Sequence, residues 1–171
     1  PSLAGHPVDP ARPDLERDGL EFIFSMKASR LVNLCPVFAC LDLRKTVIFY
    51  TEKLGFKAAR HYDKTENFAA LYRDDIELIL VQARQGELLS NTQRYGAGYD
   101  AYIDPAAPEG VDFLYREFVA QGVKIVSEPH MTEYGSYEFV TEDVDGRQLG
   151  IGLIVDRSIF FEDSDPGTST R

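Results

Sequence analysis

The sequence predicts an α+β fold in which two βαβββ modules build a curved mixed sheet, with a concave cleft on one face and the helices outside. Three observations predict it. The order strand, helix, three strands occurs twice along the chain. Each helical stretch carries an apolar stripe closed by a glycine, Gly55 in the first half and Gly122 in the second. Each half ends in a hairpin with a polar turn, Asp74-Asp75 and then Asp143-Val-Asp-Gly146.

The first module opens with the apolar, strand-like run Asn33 to Leu41. Asp42 is placed to cap a helix by accepting backbone N–H bonds. Leu43, Val47, Tyr50 and Leu54 then recur at helical spacing before Gly55. Three strands are predicted next, Phe56–Tyr62, Phe68–Arg73 and Ile76–Gln82. The second module repeats the order. Tyr99–Ile103 reads as a strand and Asp104-Pro105 as a turn. Val111, Leu114, Tyr115, Phe118 and Val119 form a helical stripe, followed by strands Lys124–Glu128, Tyr137–Thr141 and Gln148–Ile154.

The domain is therefore expected over residues 31–156, with modules at about 31–84 and 96–156. Residues 1–30 read as an arm, broken by Pro1, Pro7, Pro10 and Pro13, in which Leu20–Phe24 is a short strand or a contact segment. Residues 157–171 read as a polar tail rich in Pro, Gly, Ser and Asp.

The 171 residues carry a formal charge of −10. That excludes the basic face a nucleic-acid partner needs to neutralise phosphates, and it favours encounter with cations. No apolar run approaches the roughly 20 residues that span a bilayer, so no membrane partner is expected. No basic segment followed by a long apolar one marks an export signal near the start. Cys35 and Cys40 fall on opposite faces of the first strand and are expected to stay unbridged, which points to the cytoplasm.

The stretch Asp42-Leu-Arg-Lys-Thr-Val-Ile-Phe-Tyr-Thr-Glu-Lys-Leu-Gly-Phe56 resembles the first-helix signature of the vicinal oxygen chelate superfamily, which unites glyoxalases, bleomycin-resistance proteins and dioxygenases. Phe68-Ala-Ala-Leu-Tyr-Arg-Asp-Asp75 with Ile76–Gln82 is most similar to the bleomycin-resistance branch. Tyr134-Gly135, Tyr137-Glu-Phe139 and Asp143-Val-Asp-Gly146 resemble the closing motif, although Val144 replaces its usual proline. The resemblance implies four inward-facing metal ligands in the metal-dependent members, two per module. The matching positions here are Cys35, Ile79, Gly98 and Gly150. Isoleucine and glycine offer no donor, and one cysteine cannot hold a catalytic metal that needs about three protein ligands. Glu77 shares a strand face with Ile79 and rescues at most one ligand by a register shift. The three histidines show no metal-ligand spacing, and no nucleophile elbow is present.

No metal, no cofactor and no catalytic residue are therefore expected. The resemblance implies instead a ligand cleft shared by two subunits, where aromatic faces stack on flat drug moieties and acids attract a cationic drug. Tyr62, Phe68, Asp100, Tyr102 and Tyr134 are the expected ligand-binding residues. The expected function is a metal-free, homodimeric small-molecule binder that sequesters an antibiotic or drug. Two alternatives stay open: a metal-dependent lyase, epimerase or dioxygenase of the same fold, and an interaction module with a vestigial cleft.

Overall fold

Asp42 turns the chain from strand to helix. Its backbone is extended and its side chain accepts from the Lys45 N–H at 3.0 Å, so helix α1 (Leu43–Glu52) starts capped. Leu43, Tyr50 and Leu54 are buried, and Gly55 leaves the helix with a left-handed φ of 71°. The computed structural model describes residues 33–59 and 67–161. The described residues from Cys35 onward form one compact unit.

The predicted order is present twice. Strand β1 (Val37–Cys40), α1, β2 (Lys57–Ala58), β3 (Phe68–Arg73) and β4 (Ile76–Gln82) form a four-stranded sheet in the order β1-β4-β3-β2. After the short helix α2 (Asn91–Tyr95), β5 (Ala101–Ile103), α3 (Glu109–Ala120), β6 (Lys124–Met131), β7 (Ser136–Glu142) and β8 (Gln148–Ile154) form a second, in the order β5-β8-β7-β6. A last short helix, α4, covers Arg157–Phe161. In each sheet the first strand runs parallel to the last and the others are antiparallel. The helices cover one face of each sheet and bury its alternate residues, among them Leu71, Leu80, Phe139 and Ile151.

Several boundaries differ from the predicted ones, each for a local reason. The first strand is shorter because Leu41 N–H is given to the Asp145 carboxylate. Of the strand expected at Phe56–Tyr62, Lys57 and Ala58 form β2 and pair with β3, Ala59 N–H donates to the Ala70 carbonyl at 2.9 Å, and residues 60–66 lie outside the described residues. The strand at Tyr99 starts at Ala101, because the Asp100 carboxylate is drawn to the N–H groups of Asn91 and Gln148. Strand β6 runs on to Met131 through two register irregularities. Helix α2 rests on a Ser90–Gln93 capping box. Among the described residues no helix is long and apolar enough to cross a membrane. Both cysteines are free.

The turn between β7 and β8 ties the second module to the first. Arg147 Nε donates to Asp143 at 2.7 Å, its Nη2 donates to Asp145 at 2.7 Å, and its Nη1 donates to the Ala39 carbonyl of β1. Tyr50 of α1 donates to Asp143 at 2.9 Å, and Thr46 donates to Asp145 at 2.6 Å. Burial pushes the Asp143 carboxyl above its ordinary value even with Arg147 beside it. Removing the guanidinium leaves a buried acid without its counter-charge. Arg147→Ala is expected to cost about 3–5 kcal/mol in urea unfolding, and Tyr50→Phe about 1–2 kcal/mol. An Arg147→Ala protein as stable as the parent would contradict this account of the module junction.

Candidate functional site

Strand alternation decides what the second sheet presents on its open face. Phe139 packs edge-on against Tyr115 and Phe118 on the helix side, and Leu149 and Ile151 join the same core. Their neighbours Ser136, Glu138, Gly150 and Gly152 therefore face the other way, as does Tyr102 between the inward Ala101 and Ile103.

Glu138 is the centre of this face, and it has no exposed surface. Tyr99 donates to its Oε1 at 2.6 Å, Tyr134 to the same oxygen at 2.8 Å, and Tyr102 to Oε2 at 2.7 Å. Ser136 Oγ lies 2.7 Å from the Tyr102 hydroxyl. None of the ion pairs among the described residues includes Glu138. Burial alone drives its carboxyl upward, but the hydroxyl donors outweigh burial and hold it below the ordinary glutamate value. The phenols respond in the opposite sense. Burial and the adjacent carboxylate raise Tyr99, Tyr102 and Tyr134, so all three keep their protons. The result is a buried anion beneath an aromatic lid.

The glycines of β8 make room for that lid. The Tyr99 and Tyr102 rings stack 5.9 Å apart at 26°. A Cβ at Gly150 would come within 2.7 Å of both rings, and one at Gly152 within 2.6 Å of the Tyr102 hydroxyl and 2.7 Å of the Tyr137 carbonyl. The parallel pairing sets Tyr102 beside Gly150, just as it sets Val37 beside Ile79 in the first sheet. The first-strand residues paired with Ile79 and Gly150 are thus Val37 and Tyr102, while Cys35 and Gly98 both precede their strands. Valine, isoleucine and glycine bring no donor, and the Tyr102 proton is already given to Glu138. Burial and then the Glu77 charge raise the Cys35 thiol, so it stays protonated beside the Glu77 carbonyl. This residue set does not fit a catalytic metal. Among the described residues no group of three His, Cys, Asp or Glu side chains is placed to hold one.

Of the five residues expected from sequence, Tyr102 and Tyr134 meet at Glu138. Phe68 lies at the start of β3 in the first sheet, 40% exposed. Both Asp100 oxygens accept backbone N–H bonds, from Asn91 at 3.0 Å and Gln148 at 2.8 Å, so its carboxylate joins α2 to β8. Tyr62 lies outside the described residues. Tyr99, Ser136 and Glu138 complete the cluster and were not anticipated. The signal for Glu138 was its place opposite Gly152, with Gly150 two residues along the same strand, which sets a carboxylate beside a track without side chains.

A family profile described as the glyoxalase/bleomycin resistance protein/dioxygenase superfamily matches residues 36–151. The chain belongs to that superfamily. A glyoxalase/bleomycin resistance protein/dioxygenase from Alicyclobacillus acidocaldarius shares 19% identity at a TM-score of 0.59, over 77% of this chain and 96% of that one. A protein of the same description from Nocardioides shares 17% at 0.55, over 89% and 100%. TioX from Micromonospora sp. ML1 shares 16% at 0.53, over 72% and 100%. At these identities the likeness establishes the fold. No curated protein matches the chain significantly.

Gly152→Ala tests the packing of the cluster. Its new methyl meets β7 backbone and the Glu138 stem, neither of which retreats without shifting the strand. A loss of about 3 kcal/mol in urea unfolding is expected, and unchanged stability would show that β8 does not lie against Glu138 and the β7 backbone as described.

Proposed function

We propose that this chain is a metal-free small-molecule binding protein, which captures a planar organic cation on the open face of the second sheet. One observation carries the reading. On the face where the superfamily's metal-dependent members hold a metal, this chain has an anion with no cationic partner among the described residues, roofed by tyrosine rings. A cation resting on those rings gains attraction to their faces, about 0.5–2 kcal/mol according to its desolvation, and to the charge beneath them. Tyr102 and Tyr134 are 40% and 45% exposed, so their rings are open to a flat partner while Glu138 is not. The net charge of −10 adds long-range attraction for a cation. Among the activities found in this superfamily, sequestration of a cationic drug of the bleomycin type, with no bond made or broken, fits these features best. The edges of β1 and β5, unpaired among the described residues, suit a homodimer, with Phe68 of the first module lining a cleft between subunits.

Calorimetric titration with a bleomycin-type glycopeptide, flat cationic intercalators and neutral aromatic analogues tests the reading. Tyr134→Ala is expected to weaken a bound cation by about 1–3 kcal/mol. Glu138→Gln is expected to weaken the cation more than its neutral analogue. Metal analysis of the purified protein is expected to find no stoichiometric transition metal. Absence of heat across the panel would leave the proposal unsupported. Turnover of a glutathione hemithioacetal or a catechol after metal addition would replace it with the enzyme reading.

A further inference from the structure

The two hairpin turns do equivalent jobs in opposite directions, and only one of them fills its space. Ile79 pairs with Val37 and Ala70 in the first sheet, as Gly150 pairs with Tyr102 and Val140 in the second. Counting from these equivalent positions, Ile76 stands where Arg147 stands, Ile103 where Phe38 stands, and Asp104 where Ala39 stands. Counting back from the helix-closing glycines, Glu117 takes the place of Tyr50.

In one half of the molecule Arg147 crosses the gap between turn and neighbouring strand. It stacks 5.0 Å over the Phe38 ring and reaches the Ala39 carbonyl. In the other half two isoleucines replace the guanidinium and the ring, and a cavity of about 340 Å³ remains. Its walls include Phe56, Ile76, Ile103, Leu114, Phe118 and Ile151, and Asp74, Asp75 and Asp104 also line it. Pro105, another wall residue, is seated against α3 at Gly110, where a Cβ would approach it to 2.7 Å. Among the described residues the cavity's one cationic lining residue is Arg73, and both its Nη groups bond Glu117, at 2.9 and 2.8 Å. Its Nε remains 3.9 Å from Asp74. The lining acids therefore outnumber their cation, beside an apolar floor. The volume is within the range of small-ligand pockets, about 300–1,000 Å³.

We propose that this cavity is a second ligand site, separate from the Glu138 face, which takes a small organic cation with an apolar body. The body fills the volume that Phe38 occupies in the other half, and the cationic head takes the place of the Arg147 guanidinium beside Asp75 and Asp104. An arylalkylammonium ion has this shape and charge. The proposal does not rest on the function assigned to the Glu138 face.

Methyl NMR of the full chain, titrated with phenethylammonium chloride and with 2-phenylethanol as the neutral control, tests it. Saturable shifts are expected at Ile76, Ile103 and Ile151. Asp75→Asn with Asp104→Asn is expected to lower the affinity for the ammonium by roughly threefold or more and to leave the alcohol unchanged. Leu114→Trp fills the cavity and is expected to abolish the shifts, while Glu138→Gln leaves them intact. Three results would overturn the proposal: no shift at these methyls at millimolar ligand, equal binding of the ammonium by the double asparagine variant, or shifts that vanish in Glu138→Gln. The last result would move the ligand to the other face. The asparagine variant changes surface charge only, so its result stands even if Leu114→Trp fails to fold.

Discussion

A carboxylate sealed from water must be satisfied by donors, and Glu138 meets that demand without a cation. The rest of the open face follows from this one constraint. Three phenols supply the donors, and the Ser136 hydroxyl lies beside that of Tyr102. Tyr99 and Tyr102 reach the carboxylate on β7 by crossing β8, which has glycine at 150 and 152. Once the rings lie there, a side chain long enough to ligate a metal has no room at position 150. The loss of metal ligands and the gain of an aromatic lid are therefore one structural change.

The same economy shows at the junction of the two modules. Each module leans on the other through the turn before its last strand. The longer turn carries its own cation, Arg147, held by Asp143, Asp145 and Tyr50. The shorter turn, Asp74-Asp75, places Asp74 in a left-handed conformation at φ 51° and sends Arg73 to Glu117 instead. Two modules of the same topology thus have one solid and one hollow junction. Identical topology does not impose identical chemistry, because one large-to-small change at each of two facing positions opens a ligand-sized space.

The fold was legible because its signals are local. Asp42, the stripe through Leu43 and Tyr50, and the glycines at 55 and 122 each act within one helix, and the alternating strands flank polar turns. The site was legible only in part. Tyr102 and Tyr134 stood out as aromatics at motif positions, and the lack of metal donors at Ile79 and Gly150 could be read directly. Glu138 could not be read directly, since an acid inside a strand looks like a solvent-facing residue until the partner strand is known. Its meaning comes from Gly152 across the pair and from Tyr99, which precedes β5 in a loop. Asp100 showed the converse. It is among the residues expected to bind ligand, but two nearby backbone N–H groups claim its carboxylate.

The central claim is that the open face holds an ionised carboxylate stabilised by hydroxyls alone. Carbon-13 NMR of the Glu138 carboxyl carbon across a pH titration, with and without added Zn²⁺ or Mn²⁺, tests it most directly. Because the folded-state value is lowered, the stabilisation is present above the ordinary glutamate value and disappears as pH falls through the folded one. The account predicts a midpoint below the ordinary value that either metal leaves in place. A midpoint above the ordinary value, or one displaced by stoichiometric metal, would contradict it.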